Sequence, residues 1–334
     1  MGPRLRGDDN REHGLALLRG LRHAPAPLEF SSMSTPPSSH HTTRPLDAVA
    51  AAIVVVLCLS WGFNQVATKL AMHDIPPLTQ GTIRSVIAAL IVAGWCRLRG
   101  ISLLTRDGTL LPGLAAGFFF GMEFIFIFQG LAYTTALRAT LFIYLAPFFV
   151  VLGGRIFLPA DRFRAAQWLG LFLSFAGMVV AFGLPTPALD PRQAIGDLMM
   201  VVAAVLWATT TLIIKASSLN RAPAEKVMLY QLVVSAPLLG LAALIFGERI
   251  VAMPSALALG ALAYQTVWVV SVTFVIWFAL IARYSANRLS VFTFLTPLFG
   301  VGAGHFVLGE PLTPAFGAAV ALVAAGLVLV NRAK

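Results

Sequence analysis

With 334 residues, 58% hydrophobic and only 11% charged, the chain is far more apolar than an ordinary soluble domain, in which about 25% of residues are charged. It cannot present a water-compatible surface as a globule, so lipid must be its solvent. The two cysteines, Cys58 and Cys96, lie in apolar runs and suggest neither a disulfide framework nor a metal site, and the net charge of +10 sits in the tail and the short connections, which argues against a nucleic-acid partner.

Residues 1–44, rich in Arg, Pro, Ser and His, hold no apolar run long enough to span a bilayer. They read as a disordered polar tail, without the apolar core and small-residue cleavage site of a signal peptide. A second reading of the same stretch places the true start at Met33, "MSTPPSSHHTTRPLDAV". Beyond it come apolar segments of the length a spanning helix needs, about 20 residues. They fall at about 48–72, 78–96, 109–132, 137–157, 166–183, 195–215, 226–247, 256–281, 288–308 and 314–331. That makes ten helices, joined mostly by short connections, with no soluble domain between them.

Lys and Arg in the connections set the orientation. If the N-terminus is cytoplasmic, the inside collects the tail arginines with Arg97, Arg99, Arg106, Arg162, Arg164, Arg221, Lys226, Arg283, Arg288, Arg332 and Lys334. The outside collects mainly Arg138, Arg192 and Arg249. Both termini are therefore expected in the cytoplasm, the 184–194 loop outside, and the protein in the cytoplasmic (inner) membrane.

The chain repeats itself. "WGFNQVATKL" pairs Trp61 with Lys69, and "WATTTLIIKA" pairs Trp207 with Lys215, eight residues apart in each case. The two pairs are related by 207 − 61 = 146. "ALRATLFIYLAP" (136–147) matches "ANRLSVFTFLTP" (286–297) at a shift of 150, aligning Arg138 with Arg288 and Pro147 with Pro297. Asp161 and Glu310 are each followed sixteen residues later by a glycine, Gly177 and Gly326. The fold expected is an all-α membrane protein of two five-helix repeats, 45–184 and 195–332. Five is odd, so the second repeat crosses the membrane in the opposite sense, an inverted repeat of the kind common in secondary transporters.

The carrying segments are "SWGFNQVATK", "TTALRATLFIYLAPFFVVL", "GRIFLPADRFRAAQWLGLFLSFAGMVV", "GDLMMVVAAVLWATTTLIIK" and "FLTPLFGVGAGHFVLGEPLTP". In this order, over about 45–332, they resemble the drug/metabolite transporter superfamily in its ten-helix EamA-like branch. One departure is "LPADR", which puts Ala160 and Asp161 where the family has Gly-Glu and keeps the charge. The resemblance implies export or exchange of a solute, drawn from a range that runs from amino acids to drugs and sugars.

Glu123, in "GFFFGMEFIFIFQG", falls near the centre of the third helix, where an ionised side chain costs roughly 2.5 kcal/mol or more. It must face the interior, be protonated or find a partner. Its repeat partner is Thr273, so the acid breaks the symmetry, which a purely structural acid bonded to a neighbouring helix need not do. Arg84, about two turns into the second helix, and Lys69, near the outer end of the first, are candidates to neutralise it or to meet an anionic group on a substrate. Lys215 and Lys69 can also snorkel, stem in lipid and ammonium at the interface, and for Lys215, near the inner end of the sixth helix, this is the expectation. Trp61 and Trp207 sit away from the interfaces where membrane tryptophans usually lie and either line the substrate path or pack. Asn64, Gln129 and the run Thr209, Thr210 and Thr211 add hydrogen-bonding groups. Pro147 and Pro297 mark two hinges or two broken helices. Gly113, Gly117 and Gly121, and Gly300 and Gly304, indicate close helix packing.

The function expected is secondary transport of a small metabolite by alternating access, with protons through Glu123 as the candidate coupling. No ATP-binding loop is present, and no cofactor is expected. An intramembrane enzyme is disfavoured by the lack of an H-E-x-x-H pair or a Ser–His arrangement; His305 stands alone. A channel or receptor is the remaining alternative, against which the paired mid-membrane prolines argue. Nothing in the sequence specifies an oligomeric state.

Overall fold

The computed structural model describes residues 46–332 apart from 104, 159–161, 184–189, 310–311 and 313. The tail at 1–44, most of the 184–194 loop, and Asp161 and Glu310 lie outside these described residues. Ten helices are long and apolar enough to cross a membrane. They are α1 (Ala48–Met72), α2 (Pro77–Leu98), α3 (Leu110–Leu131), α4, α5 (Ala165–Phe182), α6 (Pro191–Ala216), α7 (Ala224–Ile245), α8, α9 and α10 (Ala315–Arg332). Val56, Leu90, Leu244 and Phe306 are among the large apolar side chains left exposed, as expected of surfaces that face lipid rather than water.

Three helices are not the continuous rods that hydropathy suggests. α4 is two pieces, Ala136–Ile143 and Ala146–Phe157, and α9 is two pieces, Ala286–Phe292 and Leu295–Leu308. Pro147 and Pro297 lie in the first turn of each second piece, where the missing N–H costs nothing. The breaks themselves precede the prolines. The first pieces begin alike: Thr135 and Ser285 cap them by accepting from the N–H of Arg138 and Arg288. α8 runs Ala256–Ala263, then π-helical Tyr264–Thr273, then Phe274–Arg283. A π-helix this long is rare and leaves its backbone wider than an α-helix; Ser271 Oγ donates to Thr266 O across the widened turn.

The packing is unchanged in outline when each helix is exchanged with the one five further on. α1 packs on α9 as α6 packs on α4, and α3 packs on α6 as α8 packs on α1. α2 pairs with α7 and α5 with α10. Both of these self-related pairs run antiparallel: Gly81 meets Leu239 while Ser85 meets Ser235, and Gly170 meets Val330 while Gly177 meets Val323. This is what two inverted five-helix repeats require. A hydrogen-bond pair repeats the relation: Thr134 Oγ1 donates to Asp197 at 2.6 Å and Tyr284 Oη donates to Asp47 at 2.7 Å, with 284 − 134 = 150 and 197 − 47 = 150.

Glycines set the closest approaches. A Cβ on Gly62 of α1 would lie 2.7 Å from Gly300 N, Phe299 Cβ and Thr296 O of α9, and backbone cannot yield there. Gly62→Ala is therefore expected to cost about 1–3 kcal/mol, read as a lower thermal unfolding temperature in detergent; an unchanged temperature would show that α1 and α9 separate easily. Gly113 and Gly117 of α3 admit Tyr230 and Val234 of α7 in the same way. Outside the membrane, Asp74 accepts from Ser255, the N-cap of α8. Its carboxyl is held down at about 2 by the Ser255 hydroxyl, His73 and the Ser255 N–H.

Candidate functional site

Arg84 and Glu123, on α2 and α3, are both buried, 7% and 8% exposed. Their charges act on one another. Among the described residues, however, neither has a hydrogen bond or an ion pair within 4 Å. The Arg84 guanidinium lies 4.5 Å from the centre of the Phe124 ring, a favourable stack. Two opposite charges held near each other without touching are costly.

Aromatic rings lead away from this pair. Phe124 packs on Phe120, Phe120 on Phe274 at 6.0 Å, Phe274 on Trp61 at 5.5 Å and Trp61 on Trp277 at 5.3 Å. Trp277 then lines a central cleft together with Ala146, Pro147, Val150, Trp207, Thr211, Ser290 and Thr293. The cleft lies between the two broken helices. Beside it, the Cys58 thiol donates to Phe292 O at the break of α9, and Tyr144, at the break of α4, packs on Trp207 and Phe294.

The residues singled out from the sequence distribute unevenly over this arrangement. Trp61 and Thr273 come together, the indole N–H donating to the Thr273 hydroxyl at 2.8 Å. Trp207, Thr211 and Pro147 meet at the cleft. Pro297 lies on the other broken helix, α9, and is not among the lining residues. The Asn64 Oδ1 is buried without a hydrogen-bond partner, and Gln129 is half-buried near the end of α3. Lys69 is exposed, and of the two candidates it is Arg84 whose charge acts on Glu123. Lys215 corrects its expectation. It does not snorkel but is buried, and its ammonium donates to the carbonyls of Ile281 at 2.6 Å and Ala282 at 3.3 Å. These belong to the last turn of α8, where carbonyls lack intrahelical partners. Lys226, expected in a connection, is in the first turn of α7 and pairs with Asp107 at 2.7 Å.

Sequence reasoning missed Phe124, Phe274 and Trp277, and with them the polar seam along the π-helix. There Thr68 donates to Gln265, Gln265 to Gln80, and Trp268 and Tyr264 to Ser60. The only hint in the sequence was the polar spacing of Gln265, Thr266 and Ser271 within an apolar span.

Ten spans, two of them broken around a central cleft, define a multi-pass membrane protein. The chain belongs to the EamA-like transporter family, which it matches over residues 48–183 and 194–332. It is 26% identical over 295 residues to a probable amino-acid metabolite efflux pump of Salmonella typhimurium, covering 85% of this chain and 94% of that one. It is 23% identical over 269 residues to the uncharacterized transporter YoaV of Bacillus subtilis, covering 78% and 89%. A solved crystal structure superposes with a TM-score of 0.74 at 23% identity, covering 85% of this chain and 98% of its own, a likeness of fold.

Proposed function

We propose that the protein is a secondary transporter that exports or exchanges a small zwitterionic metabolite of the amino-acid class. It works across the cytoplasmic membrane by alternating access, with both termini in the cytoplasm. One observation carries this reading: Arg84 and Glu123 are both buried and act on one another, with no hydrogen bond from either among the described residues. Arg84 suits a substrate carboxylate, which its planar fork binds bidentately. Glu123 suits a substrate ammonium, and releases or takes a proton as that ammonium leaves or arrives. The aromatic series from Phe124 to Trp277 offers an apolar path for the rest of the molecule. The naming of a relative as an amino-acid metabolite efflux pump supports the substrate class, and the loop arginines support the orientation.

The test is counterflow in proteoliposomes of the purified protein with radiolabelled amino acids. Saturable uptake accelerated by unlabelled substrate on the far side is expected. Flux that rises without saturation would make the protein a channel instead. Labelling of a cysteine placed in the 184–194 loop from outside intact cells, with a C-terminal tag protected, checks the orientation; an external tag overturns it.

A further inference from the structure

Inverted repeats open one face and then the other by exchanging conformations. A contact that this exchange turns into a different contact has to be remade in every cycle, whereas one that it carries onto itself can stay. α4 and α9 meet in a contact of the first kind. The first piece of α9 packs on the second piece of α4, with Gly154 admitting Asn287. The related packing, the first piece of α4 on the second piece of α9, is weaker among the described residues. α5 and α10 meet in a contact of the second kind. Their sequences align Gly170 with Ala319, Ser174 with Val323 and Gly177 with Gly326, at 319 − 170 = 323 − 174 = 326 − 177 = 149. A Cβ on Gly177 would lie 2.8 Å from Ala319 O, 3.1 Å from Val323 N and 2.7 Å from Val323 Cγ2. A Cβ on Gly326 would lie 2.5 Å from Gly170 O and 2.7 Å from Ser174 N, and would also meet Ser174 Oγ. Exchange of the repeats carries each contact of the first set onto one of the second. This interface is thus two-fold symmetric, although the contact of α4 with α9 is not. Each of its helices also holds the first piece of its own repeat's broken helix, α4 on α5 and α9 on α10.

We propose that α5 and α10 form the static mount of the transporter, a pair that stays packed in both states while the helices around the cleft rearrange. The two broken helices hang from it by their first pieces. The inference rests on alternating access but not on the identity of the substrate. In lipid, where helices gain nothing by hiding apolar side chains from one another, adhesion comes from close backbone approach at small residues. Gly170, Ser174, Gly177 and Gly326 supply that approach here. Because the interface is its own image under the exchange, its packing contributes equally to both open states. A contact that does not differ between two states cannot shift the balance between them, so this pair can be tight without locking the cycle. The contact of α4 with α9 has no such freedom.

The experiment reads opening without substrate, by deuterium uptake of peptides from α1, α3 and α8 in proteoliposomes, since amide exchange reports local opening. Full-length protein with Cys58→Ala and Cys96→Ala carries one of two thiol pairs. Ser174→Cys/Val323→Cys lies across α5 and α10, at positions the exchange carries onto one another. Val150→Cys/Ser290→Cys lies across α4 and α9, at two residues that line the cleft. Each pair is joined by a short thiol-bridging reagent and released by reductant, so every protein is its own control. Bridging is verified by the two halves staying together after proteolysis at a site placed in the 184–194 loop. The α5–α10 bridge is expected to leave uptake unchanged, and the α4–α9 bridge to suppress it. Should the first pair fail to fold, Gln167→Cys/Val330→Cys, two turns along the same interface where Gln167 Nε2 donates to Val330 O, takes its place. Uptake suppressed by the α5–α10 bridge and restored by reductant overturns the mount, as does failure of both α5–α10 pairs to bridge. Alternating access itself fails, separately, if the α4–α9 bridge leaves uptake unchanged.

Discussion

Glu123→Gln is expected to leave the protein folded and in the membrane while lowering flux about tenfold or more, the loss of one charge-assisted contact to a substrate ammonium. Glutamine keeps the size of the side chain and most of its hydrogen-bonding capacity, so the packing of α3 is expected to be retained. What it removes is the charge, and with it both the partner of an ammonium and the carrier of a proton. A glutamine cannot titrate, so whatever flux remains should lose its dependence on pH. Glu123→Asp, shorter by one methylene, should retain part of the flux and all of the pH dependence. Measurement is of substrate flux across a pH series in vesicles, with membrane abundance followed in parallel. Unchanged flux and an unchanged pH profile in Glu123→Gln would make the acid a structural group, and the coupling site would have to be sought around Lys69 and Asn64.

The spans were legible because a lipid solvent demands about 20 apolar residues per crossing, and the repeat because Trp61–Lys69 and Trp207–Lys215 survive at one spacing. The helix breaks were legible only through Pro147 and Pro297. Proline locates a place where a donor is missing, but the chain leaves helical geometry two to four residues earlier, at Tyr144–Leu145 and Thr293–Phe294. The π-helix of α8 was not legible: its cost is offset by tertiary contacts to Ser60, Thr68 and Trp61, from residues about 200 positions away. Lys215 was misread for a related reason. Whether a lysine snorkels or turns inward depends on an acceptor within reach, and the acceptors are the end of a helix 66 residues later in the chain. Glu123 and Arg84, by contrast, announced themselves, because a charge deep in a span is expensive wherever its partner lies.

Arg84→Gln is expected to be the most damaging single change at the site, in stability as well as in transport. It removes the positive charge that acts on Glu123 and leaves a buried acid without its nearby cation, which is destabilising. The cation–π stack on Phe124 goes with it. The double variant Arg84→Gln/Glu123→Gln removes both charges, so its thermal stability in detergent should recover toward the parent's, while its transport should stay at the floor. The two effects are thus non-additive in stability, as expected of groups that interact directly, and strictly sequential in function. Arg84→Lys keeps the charge but replaces a planar fork by a point donor; it should keep stability and raise the KM for a carboxylate-bearing substrate more than it lowers the maximal rate. The discriminating measurement is the set of three melting temperatures read beside flux. If Arg84→Gln and the double variant are equally destabilised, the two charges do not sense one another, and the zwitterion site they form together is wrong.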